Sequence, residues 1–148
     1  MTVAQQGVVR VAESGNGLYS QIVSAGGHTL SADEPEEFGG QGVGPSPYEF
    51  LLAGLGACTA MRLRSYVTRH NWGVDKIIIE LRHEKIAGAD SSATVDKFCR
   101  VICLRGDISE AQRSKLLEIA ESCAVSLTLR RVSIIESSVT DSITSDPV

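Results

Sequence analysis

The sequence has no apolar run approaching the roughly 20 residues that cross a bilayer. Its first residues, Met1 to Gln6, hold neither a basic cluster nor an apolar stretch, so no signal peptide is read there. Basic charge is scarce. The 14 lysines and arginines are outnumbered by 18 acidic residues, and the net charge of -4 argues against nucleic acid or an anionic membrane as the main partner. Histidine is scarce too. His28, His70 and His83 form no close-spaced cluster, so no metal site is expected, and none lies near a cysteine as a papain-like pair requires. No Gly-x-Ser-x-Gly elbow anchors hydrolase chemistry. The glycines from Gly39 to Gly44 run into Pro45 with no lysine nearby, which excludes a phosphate loop and reads as a flexible connector. These absences lead to the expectation of a cytoplasmic protein without metal or organic cofactor.

What remains is sufficient for one domain over residues 1–148, since 43% of the chain is hydrophobic. Short β-favouring runs around Val8–Val11, Leu18–Val23 and His28–Leu30 are separated by Ser14-Gly15-Asn16-Gly17 and Gly26-Gly27, the pattern of an antiparallel meander. Ser46, Pro47 and Glu49 form a helix start with a capping box, and Asn71 and Gly73 mark the stop of a helix reaching about His70. The small residues Gly54, Gly56 and Ala57 predict that its N-terminal half is buried against a close backbone, with the Arg62, Arg64 and Arg69 end wetter. Strands are expected over Val74–Ile86 and Phe98–Leu104, with a turn or loop over Ala87–Val95 between them. A second helix runs from Ser109 to about Ser122, and a last strand is expected over Arg131–Val139. The order β-β-β-α-β-β-α-β is α+β with mostly antiparallel pairing.

Four cysteines are the candidates for chemistry: Cys58, Cys99, Cys103 and Cys123. Cys58 lies mid-helix among small apolar residues and has two readings. It is a small buried hydrophobe, or it is a nucleophile whose thiolate is favoured by Arg62 one turn later. Cys123 closes the second helix and has the same two readings. Cys99 and Cys103 share one face of a strand about 13 Å apart, too far for a disulfide.

The stretch Gly44-Pro45-Ser46-Pro47-Tyr48-Glu49-Phe50-Leu51-Leu52-Ala53-Gly54-Leu55-Gly56-Ala57-Cys58-Thr59-Ala60-Met61 resembles the OsmC/Ohr family, and Leu116 to Cys123 is similar to the segment carrying that family's second cysteine. The likeness is nearer to the less characterised OsmC-like branch than to the organic hydroperoxide resistance branch. It implies an OsmC-like fold in an intertwined homodimer with a shared sheet. It further implies a thiol-dependent peroxidase of stress defence, in which Cys58 attacks a hydroperoxide and Cys123 resolves the product. A dithiol, of the lipoyl kind in the hydroperoxide branch, is the implied reductant. Glu49 and Arg62 are the accompanying site candidates. The family's glutamate precedes its cysteine by ten residues, where this chain has Tyr48; Glu49 is one later and also suits the helix cap. The family's arginine in the first turn has no counterpart in Ser14–Gly17, which leaves Arg10 or Arg62 as substitutes. That departure favours the alternative reading, a non-catalytic binding module or a thiol redox sensor.

Overall fold

The computed structural model describes residues 7–90 and 92–143. Three short strands come first: β1 (Val9–Glu13), β2 (Gln21–Ala25) and β3 (His28–Ala32), paired antiparallel in that order. Gly26 and Gly27, at φ 55° and 78°, close the second hairpin between paired Ala25 and His28, the left-handed geometry that a two-residue hairpin turn requires. The meander has little cover among the described residues. Val9 and Val11 are both exposed, as are Ile22 and Leu30.

The segment after β3 is not the flexible connector expected from its glycines. Asp33 is buried, and its carboxylate accepts the backbone N–H groups of Glu34 (2.8 Å), Gln41 (3.1 Å) and Val43 (3.4 Å). One acceptor thus ties both ends of the loop around the short 3-10 turn Glu36–Phe38. The glycines serve close approach. A Cβ at Gly40 would fall 1.8 Å from the Glu34 carbonyl oxygen, and one at Gly44 would fall 2.4 Å from that of Ser31.

Helix α1 (Pro47–Arg69) begins and ends where its sequence places it. The Ser46 N–H donates to the Glu49 carboxylate at 2.7 Å, and Asn71, just past the end, adopts φ 52°. Leu55, Thr59, Leu63 and Val67 recur every fourth residue and are buried as one stripe. The stripe rests on a long antiparallel ribbon of β4 (Gly73–Ala87) and β5 (Thr94–Asp107). These strands exceed expectation, and the loop between them shrinks accordingly. The ribbon's inner face pairs Ile77 with Leu104, Ile79 with Ile102, Leu81 with Arg100, and His83 with Phe98. Helix α2 (Glu110–Glu121) packs on α1 and closes the core, where Leu63, Val67, Val74, Leu116 and Ala120 meet. A further short helix, α3 (Ala124–Arg130), follows directly and also contacts α1.

Two expectations change. The deepest burial lies in the C-terminal half of α1, at Leu63 and Val67, rather than in the small-residue half. Only Gly56 is needed for close approach, since its Cβ would sit 2.7 Å from Leu81 Cδ1; Gly54 faces open space and Ala57 is exposed. Those two residues sit on the helix side turned away from the ribbon. The expected last strand over Arg131–Val139 is also not formed. The segment is irregular, with Val132, Ile134, Ile135 and Val139 all highly exposed. Its β-branched residues favour a strand, but a strand needs a pairing edge, and this segment pairs with none of β1–β5.

Candidate functional site

The fold brings Cys58 and Cys123 together from segments that are distant in sequence. Cys58 sits half-buried on α1, at the edge of the buried stripe. Cys123 is the junction residue between α2 and α3 and is 1% exposed. Its φ and ψ of -67° and 144° are extended, so the chain turns there and the sulfur folds back over the first turn of α3. Cys123 Sγ thereby accepts the Ser126 N–H at 3.4 Å, the bond a serine or aspartate makes as a helix cap. Thr59, next to Cys58 on α1, places its hydroxyl 3.7 Å from the same sulfur.

The cation at this site is Arg100 on β5, which the sequence reading missed. Its side chain is only 9% exposed and is paired with the Glu121 carboxylate at 3.1 Å. Its Nη1 donates to Thr59 Oγ1 at 2.8 Å and to Ser126 Oγ at 2.9 Å, and lies 3.9 Å from Cys123 Sγ. Glu121 is shared with Arg130. A signal for Arg100 existed: Phe98, Arg100, Ile102 and Leu104 alternate onto one face, and a lone arginine in an otherwise apolar series is a buried ion seeking partners.

Burial alone would push the Cys123 thiol up. The Ser126 hydroxyl and N–H, the Thr59 hydroxyl and, least of these, the neighbouring Cys58 thiol all donate to the sulfur instead, and bring its pKa down to about 7. The Thr59 hydroxyl has one proton, which it gives to the Leu55 carbonyl at 2.7 Å or turns to the sulfur. A pair of thiols with one readily ionised member can exchange with sulfenic acid and disulfide states.

The other expected site residues form no hydrogen bond to this cluster among the described residues. Glu49 caps α1, and its bonds to the Ser46 backbone and side chain hold its carboxyl below the usual range. Arg62 is exposed and makes no hydrogen bond or ion pair among the described residues. Arg10 is on β1, beside Gly26 and His28. Cys99 and Cys103 lie on the ribbon's outer face, where Cys99 donates to the Glu84 carboxylate at 3.6 Å. A cleft of about 770 Å³ opens beside the cluster; Leu55, Phe98, Arg100, Leu117, Glu121 and Ser126 line it, and neither Cys58 nor Cys123 does.

The model of the OsmC-like protein family matches residues 39–138, a span that includes both cysteines, Arg100, Glu121 and Ser126. The chain belongs to the OsmC-like protein family. Solved structures agree in fold. An OsmC-like protein from Mycoplasma pneumoniae is 13% identical, with TM-score 0.71 over 88% of this chain and 91% of that one. The organic hydroperoxide resistance protein OsmC of Legionella pneumophila is 18% identical, with TM-score 0.65 over 87% and 92%. The organic hydroperoxide resistance protein OhrB of Bacillus subtilis is 19% identical, with TM-score 0.59 over 84% and 91%. No curated protein matches the chain. Among the described residues no helix is long and apolar enough to cross a membrane.

Proposed function

We propose that this OsmC-like protein is a thiol-dependent hydroperoxide reductase of stress defence, one domain over residues 1–148, working as a cytoplasmic homodimer. The observation that carries the reading is the meeting of Cys58 and Cys123 around Thr59, Ser126 and Arg100. Cys58, the more accessible sulfur, attacks the peroxide as its thiolate. An S–O bond forms, the O–O bond breaks, and the alkoxide takes a proton from water to leave as the alcohol. Cys58 has then lost two electrons and is a sulfenic acid. The Cys123 thiolate attacks it; an S–S bond forms, hydroxide leaves and is protonated to water. An external dithiol, of the lipoyl class, returns two electrons and two protons and resets the pair. Leu55 gives the neighbouring cleft an apolar wall suited to an organic hydroperoxide.

The dimer has its own support. The exposed valines of the meander and the highly exposed Val132, Ile134 and Ile135 are apolar surface that a second copy would cover. Light scattering is expected to give a mass of two chains.

The chemistry is tested by treating the reduced protein with about one equivalent of cumene hydroperoxide and mapping unreduced peptides by mass spectrometry. A Cys58–Cys123 link is expected, and dimedone should trap a Cys58 sulfenic acid in Cys123→Ser. If no such link forms and peroxide is consumed no faster than by free thiol, the reading fails and a non-catalytic module takes its place. Slow linkage without turnover in the presence of a dithiol would instead favour a redox sensor.

A further inference from the structure

Resting on the two-cysteine reading above, we propose that Arg100 is a positioning residue that keeps Cys123 charged and thereby sets how fast the disulfide closes relative to over-oxidation of Cys58. The geometry is specific to the second step. Arg100 faces Cys123 from β5, through Thr59 and Ser126, and it stands on the α2 carboxylate of Glu121. Its Nη1 donates to both hydroxyl oxygens. Each hydroxyl is left with its own proton, that of Ser126 to turn to the Cys123 sulfur and that of Thr59 to share between the sulfur and the Leu55 carbonyl. Without the guanidinium, either hydroxyl can rotate and accept a hydrogen bond from the thiol rather than donate one to the thiolate. The guanidinium also adds its own charge 3.9 Å from the sulfur, within the range at which a cation favours the ionised form.

The charged and titratable groups around Cys123 are few. From α1 it meets the Cys58 thiol and the neutral Thr59; from β5 it meets Arg100; α3 presents neutral Ser126. Glu121 and Arg130 act one shell out, as the counter-charges of Arg100 and of each other. Lowered to about 7, Cys123 is roughly half thiolate at neutral pH. A free cysteine at about 8.5 would be only a few per cent ionised there.

The functional consequence is a kinetic branch. A Cys58 sulfenic acid that waits for its partner meets a second hydroperoxide molecule. That molecule transfers one oxygen to the sulfur, leaves as the alcohol, and takes Cys58 to the sulfinic acid, from which no dithiol returns it. A charged Cys123 shortens the wait.

The test is rapid mixing of reduced protein with cumene hydroperoxide from pH 6 to 9, followed by acid quench and mass spectrometry of Cys58 as thiol, sulfenic acid, sulfinic acid or disulfide. In the wild type, closure should rise with pH through a midpoint of about 7. In Arg100→Gln, disulfide closure should slow relative to sulfenic acid formation measured in the same quench. The substitution should move the closure midpoint up from about 7, slow closure at pH 7 several-fold, and give more sulfinic acid than the wild type under excess peroxide. Arg100→Lys, which restores charge without the planar fork, should recover part of the shift. A merely structural role for Arg100 would not move a pH midpoint. Ser126→Ala removes a donor without stranding a buried charge, so it serves where the Arg100 variants fold poorly, and it should shift the midpoint in the same direction. An unchanged closure profile in a folded Arg100→Gln, or in Ser126→Ala, overturns the positioning role while leaving the two-cysteine reading intact. A wild type that never links Cys58 to Cys123 overturns that reading, and this proposal with it.

Discussion

The two faces of the β4–β5 ribbon are built from the same strands and meet different fates. The inner face carries Ile77, Ile79, Leu81, Phe98, Ile102 and Leu104 under α1 and α2, and within that apolar surface Arg100 is held by Glu121, Thr59 and Ser126. The outer face carries Cys99, Val101 and Cys103, with Val101 60% exposed and none of the described helices laid over it. A one-residue step along β5 separates Arg100 from Cys99. That step decides whether a polar group is desolvated and forced into fixed partnerships or left to water. Cysteine position therefore matters less than which neighbours the covered face supplies. Cys123 gains four donors from α1 and α3, the helices laid over that face, whereas the ribbon's own cysteines gain a single weak contact to Glu84.

The largest expected effect separates the two faces by stability. Leu116 is fully buried between α1 and α2, so Leu116→Ala should cost about 3 kcal/mol through lost burial and an unfilled cavity. Val101→Ala on the outer face should cost less than about 0.5 kcal/mol. Urea unfolding of both variants checks the contrast. A large loss at Val101 would mean that the outer face is covered in the assembled protein.

A smaller effect concerns the charge under the inner face. The folded pKa of Cys123 is lowered to about 7, below the value near 8.5 of an unfolded cysteine. A depressed pKa contributes stability that is fully present above the unfolded value and is lost as pH falls through the folded value. Between pH 9 and pH 6 the reduced wild type should therefore lose on the order of 1 to 2 kcal/mol relative to Cys123→Ser, whose side chain does not titrate. The difference between the two proteins, from urea midpoints in reducing buffer, cancels every other titrating group. A pH-independent difference would show that Cys123 stays protonated.

Much of this contrast was legible in the sequence, and the illegible part has physical causes. The bounds of α1 follow from local chemistry, because Ser46, Pro47 and Glu49 satisfy the first turn and Asn71 accepts a left-handed backbone. The two hairpins follow from glycine pairs in the same local way. The pairing of Cys58 with Cys123 came from family resemblance, and no local pattern in either segment encodes it. Arg100 was missed because alternation shows that two faces exist without showing which one is covered, and coverage depends on α2, far along the chain. The role of Asp33 has no local signal, because its three N–H partners become neighbours only when the loop folds on itself. The segment from Arg131 has strand composition, but pairing is a property of two edges, and composition describes only one. Helix α3 was overlooked because Cys123 looked like the end of a helix when it is also the cap of the next.

The smallest expected effect lies on the outer face itself, where Cys103→Ser should leave both stability and hydroperoxide turnover unchanged. Cys103 is exposed and opposes Ile78 across the ribbon, so a hydroxyl in place of its thiol desolvates nothing. The stability change should fall within about 0.5 kcal/mol. Cys99 and Cys103 stand two pleats apart on one strand, about 13 Å in an extended chain, and a disulfide holds Cα atoms within about 7 Å. Oxidation should consequently produce no Cys99–Cys103 link, even in Cys123→Ser, where Cys58 has lost its partner. Access gives a second readout on the same comparison. A bulky maleimide should label Cys103 in the native protein and reach Cys123, 1% exposed, only after unfolding. Peptide mapping of brief native labelling against labelling in denaturant separates the two. If Cys103 were protected in the native state, the outer face would be an interface, and the contrast between the faces would belong to one chain rather than to the assembled protein.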